Sequence, residues 1–230
     1  MDKVQNFALV LPVLLFSMVA HEYAHGYAAL KQGDPTAYQL GRLTWNPLKH
    51  IDPFMTVLLP ILTYWSGGFI FGGAKPVPVV PRNYRTFKRG DIIVSLAGIA
   101  TNLVLALIFT LLVPLLGLLG NALPALALTL SIIQVMFLSG IQINLVLAFF
   151  NLLPIPPLDG SHVMKYLLPP AWSLKYQQLG MYGIFILILL FATGIGRPLF
   201  MRWMWPATTL TDLAMGAVRS FLLPISWMAG

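Results

Sequence analysis

Apolar residues run almost without interruption from Val4 to Leu30. At ~1.5 Å per residue, a helix over that stretch crosses a ~30 Å hydrocarbon core. Residues 31–50, KQGDPTAYQLGRLTWNPLKH, are polar, with turn signals at Gly33-Asp34-Pro35 and Asn46-Pro47. Residues 51–66 are apolar again, but the run is short and Pro53 and Pro60 interrupt it. Glycine pairs follow, then a β-branched run with alternating prolines, then a basic stretch. From Ile92 to Leu158 there is no Asp, Glu, Lys, Arg or His. That length is two spans, broken near GLLGNALP (117–124), and the second runs into NLLPIPPLDG (151–160). Another span is expected at about 179–196. The tail, 197–230, carries Trp203, Trp205 and Trp227 and is interfacial or a further span.

The pattern predicts an all-α polytopic membrane protein, a bundle of about 4–6 transmembrane helices. A short re-entrant strand or loop region is expected between the first and second core helices. The core helices fall at about 4–30, 91–119 and 123–152, and the re-entrant or interfacial region at 51–90. Residues 1–230 are read as a single membrane-embedded domain.

Composition agrees. The chain is 58% hydrophobic and 9% charged, against roughly 25% charged residues in soluble domains. The net charge of +7 is assigned to loops on the positive-inside face, so no nucleic-acid partner is expected. Without cysteine there is neither a disulfide framework nor a thiolate metal site. The first apolar run exceeds the roughly 7–15 residues of a cleavable signal and holds ionisable groups, so it is expected to be retained.

Those groups are the exception to the apolar pattern. VAHEYAHGYA (19–28) places His21 and His25 four residues apart, on one face of a helix. Glu22 between them is the only glutamate in the chain. In H-E-x-x-H two imidazoles bind zinc and the glutamate serves as general base. Ionisable groups at membrane depth mark function by default. A catalytic zinc takes three protein ligands and an open position. Asp159, which ends the charge-free region, is the leading third ligand, with His162 its rival; His50 is read as an interfacial or loop histidine.

NLLPIPPLDG also breaks the helix, because Pro154, Pro156 and Pro157 lack donors. Irregular backbone at membrane depth needs burial in protein or a watery cavity, and hydrolysis needs that cavity. Asn144 and Asn151 share a helix face. Asn144 is assigned to interhelical hydrogen bonding and Asn151 to holding a substrate carbonyl.

HEYAH followed by NLLPIPPLDG resembles the site-2 protease family, the intramembrane zinc metalloproteases. FGGAKPVPV (71–79) and AGIATN (97–102) resemble that family's glycine-rich strand and the start of its next core helix. The resemblance covers residues 15–165 and looks like a minimal version without PDZ or CBS domains. Ile99 stands where the family often shows proline. It implies His21, His25 and Asp159 as ligands of one Zn2+ and Glu22 as catalytic base. It places Asn151 near the scissile peptide, and with it Gly72 and Gly73 are candidate substrate or oxyanion positions. The activity implied is hydrolysis of peptide bonds within or near transmembrane segments of membrane-protein substrates. The extended FGGAKPVPV segment is a candidate edge for pairing with an unwound substrate, limited by Pro76 and Pro78.

Ligand convergence constrains topology. His21 lies about 18 Å into its span if hydrocarbon begins near Leu9, and Asp159 follows the end of another, so both spans must end on one side. Residues 51–66 then cannot cross fully. That side receives Lys31, Arg42, Lys49, Lys75, Arg82, Arg85, Lys88, Arg89, Lys165 and Lys175, against Lys3, Arg197, Arg202 and Arg219 opposite if the tail stays there. The bias makes it cytoplasmic. A prokaryotic cell membrane is the expected location. Two rival functions are weighed: a zinc transporter, which usually offers acidic residues on several helices, and a non-catalytic zinc-binding scaffold. Substrate identity and oligomeric state are not legible.

Overall fold

The computed structural model describes residues 3–67, 72–183, 185–187 and 196–224. Its main helices are α1 (Lys3–Gln32), α2 (Leu59–Gly67), α3 (Phe87–Ala122), α4 (Ala127–Asn151), α5 (Asp159–Met164), α6 (Pro170–Gln178) and α7 (Gly196–Val218). Among the described residues three helices are long and apolar enough to cross a membrane: Val4–Gln32, Phe87–Ala122 and Pro124–Asn151. The chain is an all-α integral membrane protein. The span expected at 179–196 begins as a helical turn, Leu179–Tyr182; residues 184 and 188–195 lie outside the described residues, as does Trp227.

Two compact units divide the chain, residues 18–101 and residues 1–17 with 102–230. The first unit holds the region between the first two spans. Asp52 caps a π-helical turn, Pro53–Leu58, through the N–H groups of Phe54 and Met55, and α2 follows. The apolar helix there, Pro53–Leu62, is too short to cross a ~30 Å core. Residues 72–80 are extended, yet no strand is assigned among the described residues. Pro76 and Pro78 have no N–H to donate to a strand partner, and the N–H groups of Gly73, Lys75, Val77 and Val80 go to Met55 O, His50 O, Glu22 and Asp34.

In the second unit Ile141, Leu145, Phe200, Met204 and Ala207 bury an apolar core with Phe109 and Val113. Polar groups inside it are satisfied across helices. Asn144, fully buried, donates to Ser17 Oγ (2.8 Å) and Gly140 O (2.8 Å) and accepts from Asn102 Nδ2 (2.8 Å). Asn144 is thus interhelical, as expected. Buried Gln134 bonds Val113 O, Phe221 O and the Leu223 N–H.

Candidate metal centre

Helical spacing brings the imidazoles of His21 and His25 together in the first unit. Their Nε2 atoms are 3.0 Å apart and the rings meet edge-on at 81°. His25 Nδ1–H donates to Val94 O at 2.7 Å. A carbonyl only accepts, so that bond leaves the lone pair on Nε2, the tautomer a metal needs. Two nitrogens at ~2.05 Å from a tetrahedral ion stand about 3.3 Å apart. The observed separation lies within a few tenths of an ångström of that value. The donor set and spacing therefore fit zinc.

The neighbouring glycines explain how helices reach this pair. A Cβ on Gly98 would lie 2.6 Å from His21 Cε1 and Nε2 and from His25 Nε2. α3 therefore passes the imidazoles with bare backbone. A Cβ on Gly26 would meet Val77 Cγ1 at 2.9 Å, so glycine there admits the buried Val77 side chain. Val77 in turn donates its N–H to Glu22 Oε2 at 2.7 Å. Gly26 and Val77 were not singled out by motif; the one usable signal was a glycine directly after the second histidine.

The extended segment spends most of its backbone groups on this unit. Lys75 N–H donates to His50 O, and the Arg42 guanidinium donates to Lys75 O and Pro76 O. Val80 N–H donates to Asp34 Oδ2 at 2.6 Å. His50 is a buried loop residue, as expected, with Nε2–H donating to Thr44 O at 2.9 Å. Gly73 N–H donates to Met55 O and its carbonyl accepts from Thr56 Oγ1. A Cβ on Gly72 would lie 2.5 Å from Pro60 Cγ. Both glycines are thus engaged in closing the turn onto 53–60.

In the second unit Asp159 opens α5, after the proline-broken stretch that ends α4. Gly160 is required there, since a Cβ would lie 2.1 Å from Leu152 O. Asn151 Nδ2 donates back to Leu147 O at 3.0 Å. Burial pushes the Tyr176 phenol pKa up, keeping it protonated, and its OH donates to Pro154 O at 2.9 Å. His162 Nδ1 faces Lys165 Nζ at 3.4 Å, and both line a cavity of about 350 Å³ with Pro156, Pro157, Ser161 and Tyr176.

A family profile described as Peptidase family M50 matches residues 115–191. A Bacillus subtilis (strain 168) protein named "Putative zinc metalloprotease YwhC" is 40% identical over 211 residues, covering 90% of each chain. A Mycolicibacterium smegmatis protein named "Putative zinc metalloprotease Rip2" is 35% identical over 198 residues, 86% of this chain and 70% of that one. Its Mycobacterium tuberculosis (H37Rv) namesake is 31% identical over 185 residues, 80% and 67% of the two chains. No solved structure matches.

Proposed function

Because the chain belongs to peptidase family M50, the site-2 protease family of membrane zinc metalloproteases, we propose that it cleaves peptide bonds within or near transmembrane segments of membrane proteins. The observation that carries this is Glu22, on a span-length apolar helix between two metal-competent imidazoles and oriented by the Val77 N–H. Zinc is the cofactor, and His21, His25 and Asp159 are assigned to hold it. Asp159 is preferred to His162 because a carboxylate opening α5 is an ordinary zinc donor, whereas His162 Nδ1 already faces the Lys165 ammonium. When bound, zinc supplies Lewis acidity that makes water nucleophilic at neutral pH.

The remaining work falls to side chains. With Oε2 held by Val77, Glu22 takes a proton on Oε1 and returns it to the leaving amine. A helical substrate hides its peptide groups, so it must unwind before attack. Asn151 is assigned to the scissile carbonyl through the second hydrogen of its amide, the first being donated to Leu147 O. Gly72 and Gly73 are assigned to shaping the loop rather than to oxyanion contact. Residues 74–80 offer an incoming strand pairing chiefly at Val79, whose neighbours Pro78 and Val80 bring no free N–H. The positive-inside bias supports an active site nearer the cytoplasmic face.

The test uses purified protein and labelled transmembrane peptides in liposomes, with Glu22→Gln beside the wild type. The reading expects cleavage by the wild type and a ~10²–10⁴-fold loss in a variant that keeps zinc. Cleavage unaffected by Glu22→Gln refutes the mechanism; bound zinc without cleavage of any peptide favours a transporter or scaffold.

A further inference from the structure

The GDPT turn just beyond α1 carries a carboxylate that the mechanism above does not use. Asp34 is fully buried. Its Oδ1 accepts from Thr36 N–H (3.2 Å), Thr36 Oγ1–H and Asn83 Nδ2 (2.8 Å), and its Oδ2 accepts from Val80 N–H (2.6 Å). Four donors fill the acceptor capacity of a carboxylate. An ordinary Asx turn needs only the Thr36 contacts. The other two come from 46 and 49 residues downstream, so Asp34 joins the end of α1 to the end of the extended segment.

Register is what that tie controls. Val77 is flanked by Pro76 and Pro78, so it alone within 76–78 has an N–H for Glu22. A slip of one residue in either direction would present Glu22 with a proline nitrogen and no hydrogen. The bond from Val80 to Asp34, three residues along, fixes the segment against that slip. The exposed Arg42 contacts add attachment but accept any carbonyl.

We infer that Asp34 is a positioning residue for peptide hydrolysis: by anchoring Val80 it holds residues 74–80 in the register that presents the Val77 N–H to Glu22. This rests on the assignment of Glu22 as the base. Asparagine at position 34 keeps the shape but replaces one acceptor oxygen by an amide donor, which opposes the donors of Val80 or Asn83. Exchanging the partners restores a match. In Asp34→Asn with Asn83→Asp, the new amide donates to the new carboxylate and its oxygen accepts from Val80 N–H, so the tie to Val80 returns while the longer Thr36 N–H contact is given up.

The experiment measures kcat, KM and bound zinc on a labelled transmembrane peptide for wild type, Glu22→Gln, Asp34→Asn and the double exchange. Asp34→Asn is expected to keep zinc and KM and to lose about tenfold or more in kcat, as misplaced catalytic groups do. The double exchange should recover most of that loss. Wild-type kcat in Asp34→Asn overturns the inference, as does a folded, zinc-loaded double exchange no better than the single variant. If Asp34→Asn does not accumulate, Asp34→Ser takes its place, since a hydroxyl can still close the turn on Thr36 but supplies no second oxygen for Val80, and an unchanged kcat there overturns the inference equally. Should Glu22→Gln cleave like the wild type, the underlying assignment fails instead, so the two failures are distinguishable.

Discussion

Replacing Gly98 by alanine separates metal binding from folding, because the two effects differ in size. The added Cβ would stand 2.6 Å from three ring atoms of His21 and His25. Ordinary contact begins near 3.4 Å, so the imidazoles or the α3 backbone must yield by about 0.8 Å. Metal–ligand distances tolerate only about 0.2 Å. A shift several times larger weakens zinc binding by at least as much as losing an orienting partner, ~10–100-fold. The same change favours the helix itself, since alanine in a helix interior is better than glycine by roughly 0.5–1 kcal/mol. Chelator competition on purified protein reads the affinity, and thermal unfolding in excess chelator reads the metal-free stability. The expected pair is zinc weakened ~10–100-fold with metal-free stability lowered by no more than about 2 kcal/mol, the cost of overpacking less the helix gain. Zinc affinity within about twofold of wild type would refute the claim that the imidazole pair is packed on bare backbone.

Asp159→Ala should lose the ion in a metal analysis while His162→Ala keeps it; the reverse pattern would move the third ligand to His162. Asn144→Leu removes two interhelical hydrogen bonds, to Ser17 and Asn102, each worth ~0.6 kcal/mol on average in a membrane. An unfolding titration in mixed micelles should register about 1 kcal/mol of lost stability. Burial opposes charge on Asp34, but bonds from Thr36, Val80 and Asn83 outweigh it and hold its pKa below the ordinary 3.8. A depressed carboxyl pKa contributes stability that is fully present above pH ~4 and is lost as pH falls through the folded value. Limited proteolysis of the 74–86 region should therefore be flat from pH 7 to 5 and accelerate only below about 4; Asp34→Asn should abolish that acid dependence.

The metal-binding helix was legible because i, i+4 spacing alone fixes which face two side chains share, and an apolar run leaves few readings for His21, Glu22 and His25. Asn144 was legible for a similar reason: a polar amide deep in a charge-free span must find partners on other helices. What surrounds Glu22 was not legible. The Val77 N–H and the Asp34 carboxylate act through backbone groups more than forty residues apart in sequence, and no local periodicity records such pairs. Gly72 and Gly73 show a second limit. Their motif suggests donors free for substrate, yet the turn onto Pro60 and Met55 takes up the Gly73 N–H. Gly98 showed only as part of a resemblance; its contact with both imidazoles comes from how α3 packs within its unit.

Which atoms hold the metal decides how the site works. An anomalous difference map collected at the zinc edge from crystals of the zinc-loaded protein measures that directly. It should show one ion with His21 Nε2, His25 Nε2 and an Asp159 carboxylate oxygen each at about 2.0–2.2 Å. An ion bound by His162 instead, or placed away from the His21–His25 pair, would contradict that assignment.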